Sequence, residues 1–178
     1  ITAEKIGQRV LALVDVGKVM PIVLIDGRSN SGKSTLAEEL KNYLFKHGES
    51  APRVIHMDDL YPGWDGLEAG ADYLQRFILN PLTRAEVAHY QEFDWALGER
   101  KNWREFSGGT PLIVEGCGAL NQQSAAIADV KVWLEETEPV RHARWLEREG
   151  SNEHWAEWSA QELEFYAREK SPQLADAL

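Results

Sequence analysis

The sequence predicts an α/β fold in three layers, with helices on both faces of a mostly parallel central sheet and a helical lid. Three observations lead there. Strand-like apolar runs at 21–25, 53–57, 112–115 and 130–134 alternate with stretches of helical period, the order that builds βα units and a parallel sheet. The first run, Pro21 to Ile25, is continuous Ile, Val and Leu, as a strand buried on both faces requires. It runs into a glycine-bounded loop and then a helix pattern, so strand, loop and helix form one unit.

Taken in order, Ile6, Val10, Leu13 and Val14 recur at helical spacing and predict an amphipathic helix over 3–15, stopped by Gly17. Leu36, Leu40 and Leu44 do the same for 34–46, which closes with a basic turn at His47 and a C-cap at Gly48. Segment 61–111 is rich in Trp, Gly, Pro and charge, with one clear helix over 70–79, and reads as an insertion beside a site. Residues 139–149 and 152–169 predict two helices meeting at Gly150-Ser151, a joint that makes 139–152 a lid. At 178 residues, against about 150 per domain, the chain is expected to form one domain over 1–178. The absence of an initiating Met at Ile1 and the strand-like ending Leu-Ala-Asp-Ala-Leu read as trimming at both ends.

Composition narrows the function. With 43% hydrophobic and 27% charged residues the chain can bury a core, and a net charge of −10 repels the phosphate backbone of nucleic acid. One cysteine, Cys117, excludes an internal disulfide or a cysteine zinc cluster and suits a reducing compartment, so a cytoplasmic protein is expected. The longest apolar run, Val19 to Ile25, is far short of the roughly 20 residues that span a bilayer, so no membrane partner is expected.

Residues 27–34, Gly-Arg-Ser-Asn-Ser-Gly-Lys-Ser, match the phosphate-binding pattern G-x-x-x-x-G-K-[ST] and stand between a buried strand and a helix, as that motif requires. The pattern predicts a P-loop NTPase fold in which Gly27, Asn30, Ser31, Gly32, Lys33, Ser34 and Thr35 cradle the phosphates of a nucleotide. Lys33 bridges the outer phosphates and Ser34 ligates Mg²⁺. Glu115, at the end of the strand-like run 112–115, falls where open α/β sheets bind ligands and is a second candidate for the metal shell. No guanine-reading Asn/Thr-Lys-x-Asp follows any lysine, Ser107-Gly108-Gly109 is better read as a turn than as a transporter signature, and a short acidic chain suits a helicase poorly. A small-molecule kinase remains.

Such an enzyme needs a carboxylate beside the transferred phosphoryl group. The second strand delivers Asp58-Asp59, one aspartate to face the phosphates and one to cap the next turn, while His56 inside the strand reads as a core histidine. Arg141, Arg144 and Arg148 share one helix face in a segment, 135–169, where ten acids meet four arginines for a balance of −6. This stripe fits a lid closing over an anion. Of the seven tryptophans, Trp64, Trp95 and Trp103 in the insertion read mainly as core, and Trp155 and Trp158 as packing of the last helix.

The succession Gly27–Thr35, Asp58-Asp59-Leu60-Tyr61, Trp64-Asp65, Phe93-Asp94-Trp95 and Leu112–Gly116 resembles the uridine kinase family, which also holds phosphoribulokinase-like and pantothenate kinase-like relatives. The resemblance implies that Asp58 is the general base on the acceptor hydroxyl and that Tyr61 closes its motif. It further implies that Asp65 holds ribose hydroxyls, that Glu115 is the metal-side acid, and that Arg141 and Arg144 lead into the lid. Phe93 stands where the family reads the base with a tyrosine, and Gly98 near its base-reading histidine. The expectation is an ATP-dependent, Mg²⁺-requiring kinase acting on a hydroxyl of a uridine- or cytidine-like nucleoside or similar small metabolite. The alternatives are a nucleoside monophosphate, sugar or vitamin-precursor kinase, a non-catalytic ATP-binding module, or an interaction protein dimerising through its acidic helices.

Overall fold

The computed structural model describes residues 1–49 and 51–178. Four parallel strands form the central sheet in the order β2-β5-β1-β6: β1 is Ile22–Gly27, β2 Arg53–His56, β5 Leu112–Glu115 and β6 Val130–Leu134. The apolar runs became these strands because all six β1 residues are buried. Alternation divides their side chains between two faces. Val23, Ile25, Ile113, Val130 and Val132 pack with Ile6, Val10, Leu36, Leu40 and Leu44 of α1, Ala3–Asp15, and α2, Lys33–Lys46. Ile22, Leu24, Leu112 and Val114 pack on the opposite face with α3, Leu67–Leu74, α6, Glu138–Glu149, and α7, Trp155–Glu169. The three layers are those expected.

Register sets the position of the site. His56 lies opposite Glu115 and Glu115 opposite Ile25, while Gly27 lies opposite Leu134. The candidate acid and the phosphate loop therefore meet at one carboxyl edge of the sheet, the place where such sheets bind ligands.

The region 61–111 holds more structure than its composition suggests. α3 continues through a wide π turn, Gln75–Leu79, in which Asn80 N–H reaches back to Gln75 O, and then into α4, Asn80–Thr83. Pro81 sits just past this turn and cannot donate to the helix ladder. Two antiparallel strands follow, β3 at Ala88–Asp94 and β4 at Glu99–Phe106, which the sequence reading missed. Ala88, Tyr90 and Phe106 join the same core as the sheet. Two short helices, α5 at Gln122–Ala125 and α8 at Ser171–Leu174, complete the fold. In place of the expected further strand, Asp176 alone docks beside β6: its N–H donates to Lys131 O at 2.8 Å and its carboxylate accepts the Lys131 N–H at 2.8 Å. Among the described residues no helix is long and apolar enough to cross a membrane.

Gly116, after β5, has φ +140°, and a Cβ there would meet Met57 Cβ at 2.3 Å. Gly116→Ala is expected to cost at least about 2 kcal/mol of stability, from backbone strain and overlap together, measured as a lowered urea midpoint with unchanged slope.

Candidate active site

The phosphate loop is held open by conformations that few side chains permit. At Gly27, φ is +155°, and a Cβ would strike Leu134 O at 2.5 Å and Ser31 Oγ at 2.6 Å. Asn30 and Gly32 are also left-handed, at φ 63° and 102°. The N–H groups of Gly32, Lys33 and Ser34 have no acceptor among the described residues, as the first turn of a helix dictates. Lys33 is buried, and its ammonium donates to Arg28 O at 2.9 Å and Ser31 Oγ at 3.5 Å. Burial works against its charge, but Cys117 and the acids Asp26, Glu115 and Glu162 outweigh that and hold its pKa above that of an ordinary lysine.

Opposite stands the acidic edge. Glu115 is buried at the end of β5, and its Oε1 lies 2.7 Å from His56 Nδ1. His56 is therefore no core histidine: its side chain is 40% exposed, on an edge strand, and the bond to Glu115 raises its pKa against the opposing effect of burial. The predicted second strand stops at His56, and Asp58 and Asp59 fall on a 3₁₀ turn, Met57–Asp59, rather than on alternate sides of a strand. Asp58 lines the cavity, open to solvent along one side. Crowding by protein and the charge of Glu115 push its pKa up, against Arg148, Lys33 and His56.

Loop and acids share one cavity of about 1060 Å³. Its far wall is aromatic, built from Tyr61, Trp64, Trp95, Trp145 and Trp158. Trp64 is the hub, with ring centroids 5.1 Å from Trp95, 5.6 Å from Trp145 and 6.3 Å from Trp158, and with His154 stacked on it at 4.4 Å. Tyr61 spends its hydroxyl on Cys117 O at 2.6 Å. Trp95 donates its indole N–H to Asp58 O at 2.9 Å, hanging the β3–β4 hairpin on the residue expected to act as base.

Of the residues singled out from sequence, Asn30, Ser31, Gly32, Lys33, Ser34, Thr35, Asp58, Tyr61, Glu115 and Arg144 line this cavity. Gly27 lies beneath it, as the turn that shapes the loop. Asp65 is exposed outside it, and Phe93 packs edge-on against Trp95 at 5.4 Å rather than lining it. Arg141 is buried on α6 and does not line the cavity, its Nε donating to Glu136 O at 3.2 Å and its guanidinium 5.7 Å from the Trp155 ring centroid. Arg144 reaches the loop itself, donating to Asn30 O at 3.0 Å and pairing with Glu136 at 3.6 Å. Arg148 also lines the cavity. Trp103, read as core, is 59% exposed on the hairpin beside His89. The sequence reading missed Glu162, a buried acid bonded to the phosphate loop. Its signal was an acid on the buried stripe Trp158, Phe165 and Tyr166.

No family model and no curated protein matches the chain significantly. Solved structures do. A possible uridine kinase from Bacillus stearothermophilus superposes with TM-score 0.65 at 20% identity, over 97% of this chain and 98% of the other. A candidate fructose transport system kinase from Silicibacter sp. TM1040 gives 0.62 at 22%, over 100% and 97%. The chain has the α/β fold of these two proteins.

Beneath the loop, Asp26 is wholly buried, and its carboxyl pKa is raised from 3.8 to about 6, chiefly by burial and against the hydrogen bonds it accepts. The unfolded chain releases this proton near 3.8 and the folded one near 6, so between those values the folded state binds the extra proton. This group's contribution to stability therefore falls as pH rises through that window, by about 3 kcal/mol in all, and is flat above it. Carboxyl ¹³C NMR of the folded protein should show Asp26 titrating near pH 6.

Proposed function

We propose that this chain is a phosphotransferase that moves the γ-phosphate of ATP to a hydroxyl of a nucleoside or similar small metabolite. The observation that carries this reading is one cavity in which unpaired loop N–H groups and Lys33 face Asp58. Its volume lies at the upper end of the range for ligand pockets and leaves room for a nucleotide with an acceptor beside it. Kinase names on both structural neighbours agree with it.

In this reading the loop N–H groups and the positive end of α2 hold the phosphates. Lys33, Arg144 and Arg148 balance the charge that develops on the transferring group. Asp58, its pKa raised by burial above that of an ordinary aspartate, takes the proton from the acceptor hydroxyl. Arg141 serves from behind, by fixing α6. The Ser34 hydroxyl and the Glu115 carboxylate both line the cavity beside the loop and are the hard oxygen donors that Mg²⁺ prefers, so these two residues would hold the metal. When bound, Mg²⁺ supplies charge neutralisation to the phosphates. The acidic surface and lone buried cysteine support a cytoplasmic protein without nucleic-acid partners.

For the acceptor, one observation favours a free sugar as a second reading. Phe93 lies outside the cavity and Gly98 has nothing within 4 Å of where a side chain would start, so neither position reads a base edge. The wall instead offers indole faces with Asp58, Arg148 and Glu149 beside them, a combination that suits ring C–H groups and adjacent hydroxyls. The fructose-related name of one neighbour accords with this.

The test is ADP release from Mg·ATP against nucleosides, nucleoside monophosphates, free sugars and vitamin precursors. At least one acceptor should raise turnover above the blank. Asp58→Asn is expected to lower kcat by about 10²–10⁴-fold with nucleotide affinity kept, and Lys33→Ala by about 10²–10³-fold. Nucleotide binding with no acceptor-dependent turnover would replace the enzyme by a binding module.

A further inference from the structure

A buried acid beside an anion-binding loop needs a reason, because a carboxylate there repels the phosphates the loop is built to hold. Glu162 on α7 is only 1% exposed. Its Oε2 accepts the Ser29 N–H at 2.6 Å, its Oε1 faces the Arg28 guanidinium at 3.4 Å, and Cys117 Sγ lies 3.5 Å from Oε2. Ser29 is itself buried, so its N–H has no water to fall back on. Were the loop to shift, a buried carboxylate and a buried amide would lose their partners inside the protein, a costly outcome for each, and the part-exposed Arg28 its ion pair. Glu162 thus braces the loop from below while the N–H groups of Gly32, Lys33 and Ser34 stay free.

The same helix grips the acceptor wall. Gln161, the preceding residue, donates to Trp64 O at 2.6 Å and accepts from Leu67 N at 3.2 Å. Trp158, one turn earlier, lines the cavity and packs edge-on against Tyr61 at 4.8 Å. Tyr166, one turn later, donates to Asp26 at 2.7 Å. Four residues within three turns of one continuous helix therefore hold the phosphate loop, the strand beneath it and the aromatic wall.

We propose that Glu162 is a positioning residue for the phosphate loop, and that α7 couples nucleotide binding there to the tryptophan-lined acceptor wall through Glu162 and Gln161. The proposal rests on the nucleotide-binding half of the function above and not on the identity of the acceptor. Coupling of this kind is a free energy shared by two sites, typically worth a 5–150-fold change in affinity.

ADP is the probe, titrated by calorimetry and by tryptophan emission, to which the wall contributes four of the seven tryptophans. In the unaltered protein ADP binds and shifts the emission. Glu162→Ala is expected to weaken ADP binding about tenfold or more. Glu162→Gln keeps an oxygen for Ser29 N–H and should recover affinity to within about threefold. Gln161→Leu leaves the loop's contacts alone, so it should keep ADP affinity and lose most of the emission change, which a purely structural role for α7 would not produce. Thermal melts set a temperature at which every variant is folded; if Glu162→Ala fails to fold, Glu162→Gln and Gln161→Leu carry the test. Unchanged ADP affinity in Glu162→Ala, or a full emission response in Gln161→Leu, overturns the proposal. If the unaltered protein does not bind ADP, the nucleotide site itself falls and this proposal with it. ADP binding without acceptor turnover removes the kinase reading and leaves the coupling standing.

Discussion

The buried carboxylate of Asp26 is the contact on which the rest of the site depends. It sits at the tip of the central strand and accepts from Gly27 N at 2.7 Å, Leu120 N at 2.9 Å and Tyr166 OH at 2.7 Å, with Gly118 N at 3.2 Å. These donors come from the start of the phosphate loop, the turn after β5, and α7. One side chain therefore ties together three segments remote in sequence, each of which supplies part of the cavity. Desolvation is the cost, visible in a pKa of about 6, and the multiple donors offset it, as a buried acid requires.

Charge is distributed in the same economical way. A chain of net −10 gathers its positive charge locally, around the loop. Lys33 is buried among acids that keep it protonated, while Arg144 already touches the loop through Asn30 O. On the other side burial, and after it the charge of Glu115, raises the Asp58 pKa. Both signs are therefore interleaved around the cavity and fixed by the fold: Lys33 is held among acids, and Asp58 has Arg148, Lys33 and His56 as well as Glu115 about it.

The parts of this arrangement that are continuous in the chain were legible from sequence. Pro21 to Lys46 holds a strand buried on both faces, a loop with glycines where φ must be positive, and an amphipathic helix, and each announces itself by composition or period. The hairpin did not, for a physical reason. Its register shifts between Gln91 and Phe93, so the twofold alternation that marks a strand changes phase in the middle of β3. β4 is exposed along nearly its whole length, which removes the apolar signal as well. His56 was misread because an apolar strand was taken to be covered on all sides, whereas β2 is the sheet's edge and leaves the ring half in solvent. Glu162 was readable in principle, since an acid on the buried stripe of a helix must have a partner, but its partner lies 133 residues away.

That distance separates the two halves of the site by kind. The loop half is local: a run of consecutive residues whose backbone conformation shapes it, so few substitutions are compatible with it and its pattern is readable as a motif. The aromatic half is assembled from Trp64, Trp95, Trp145 and Trp158, one from each of four segments, and its chemistry comes from which side chains converge rather than from any spacing. A change at any one of them alters the pocket without disturbing the loop. A fold shared with two structures at 20% and 22% identity therefore fixes the frame of the cavity and leaves its aromatic wall free to differ.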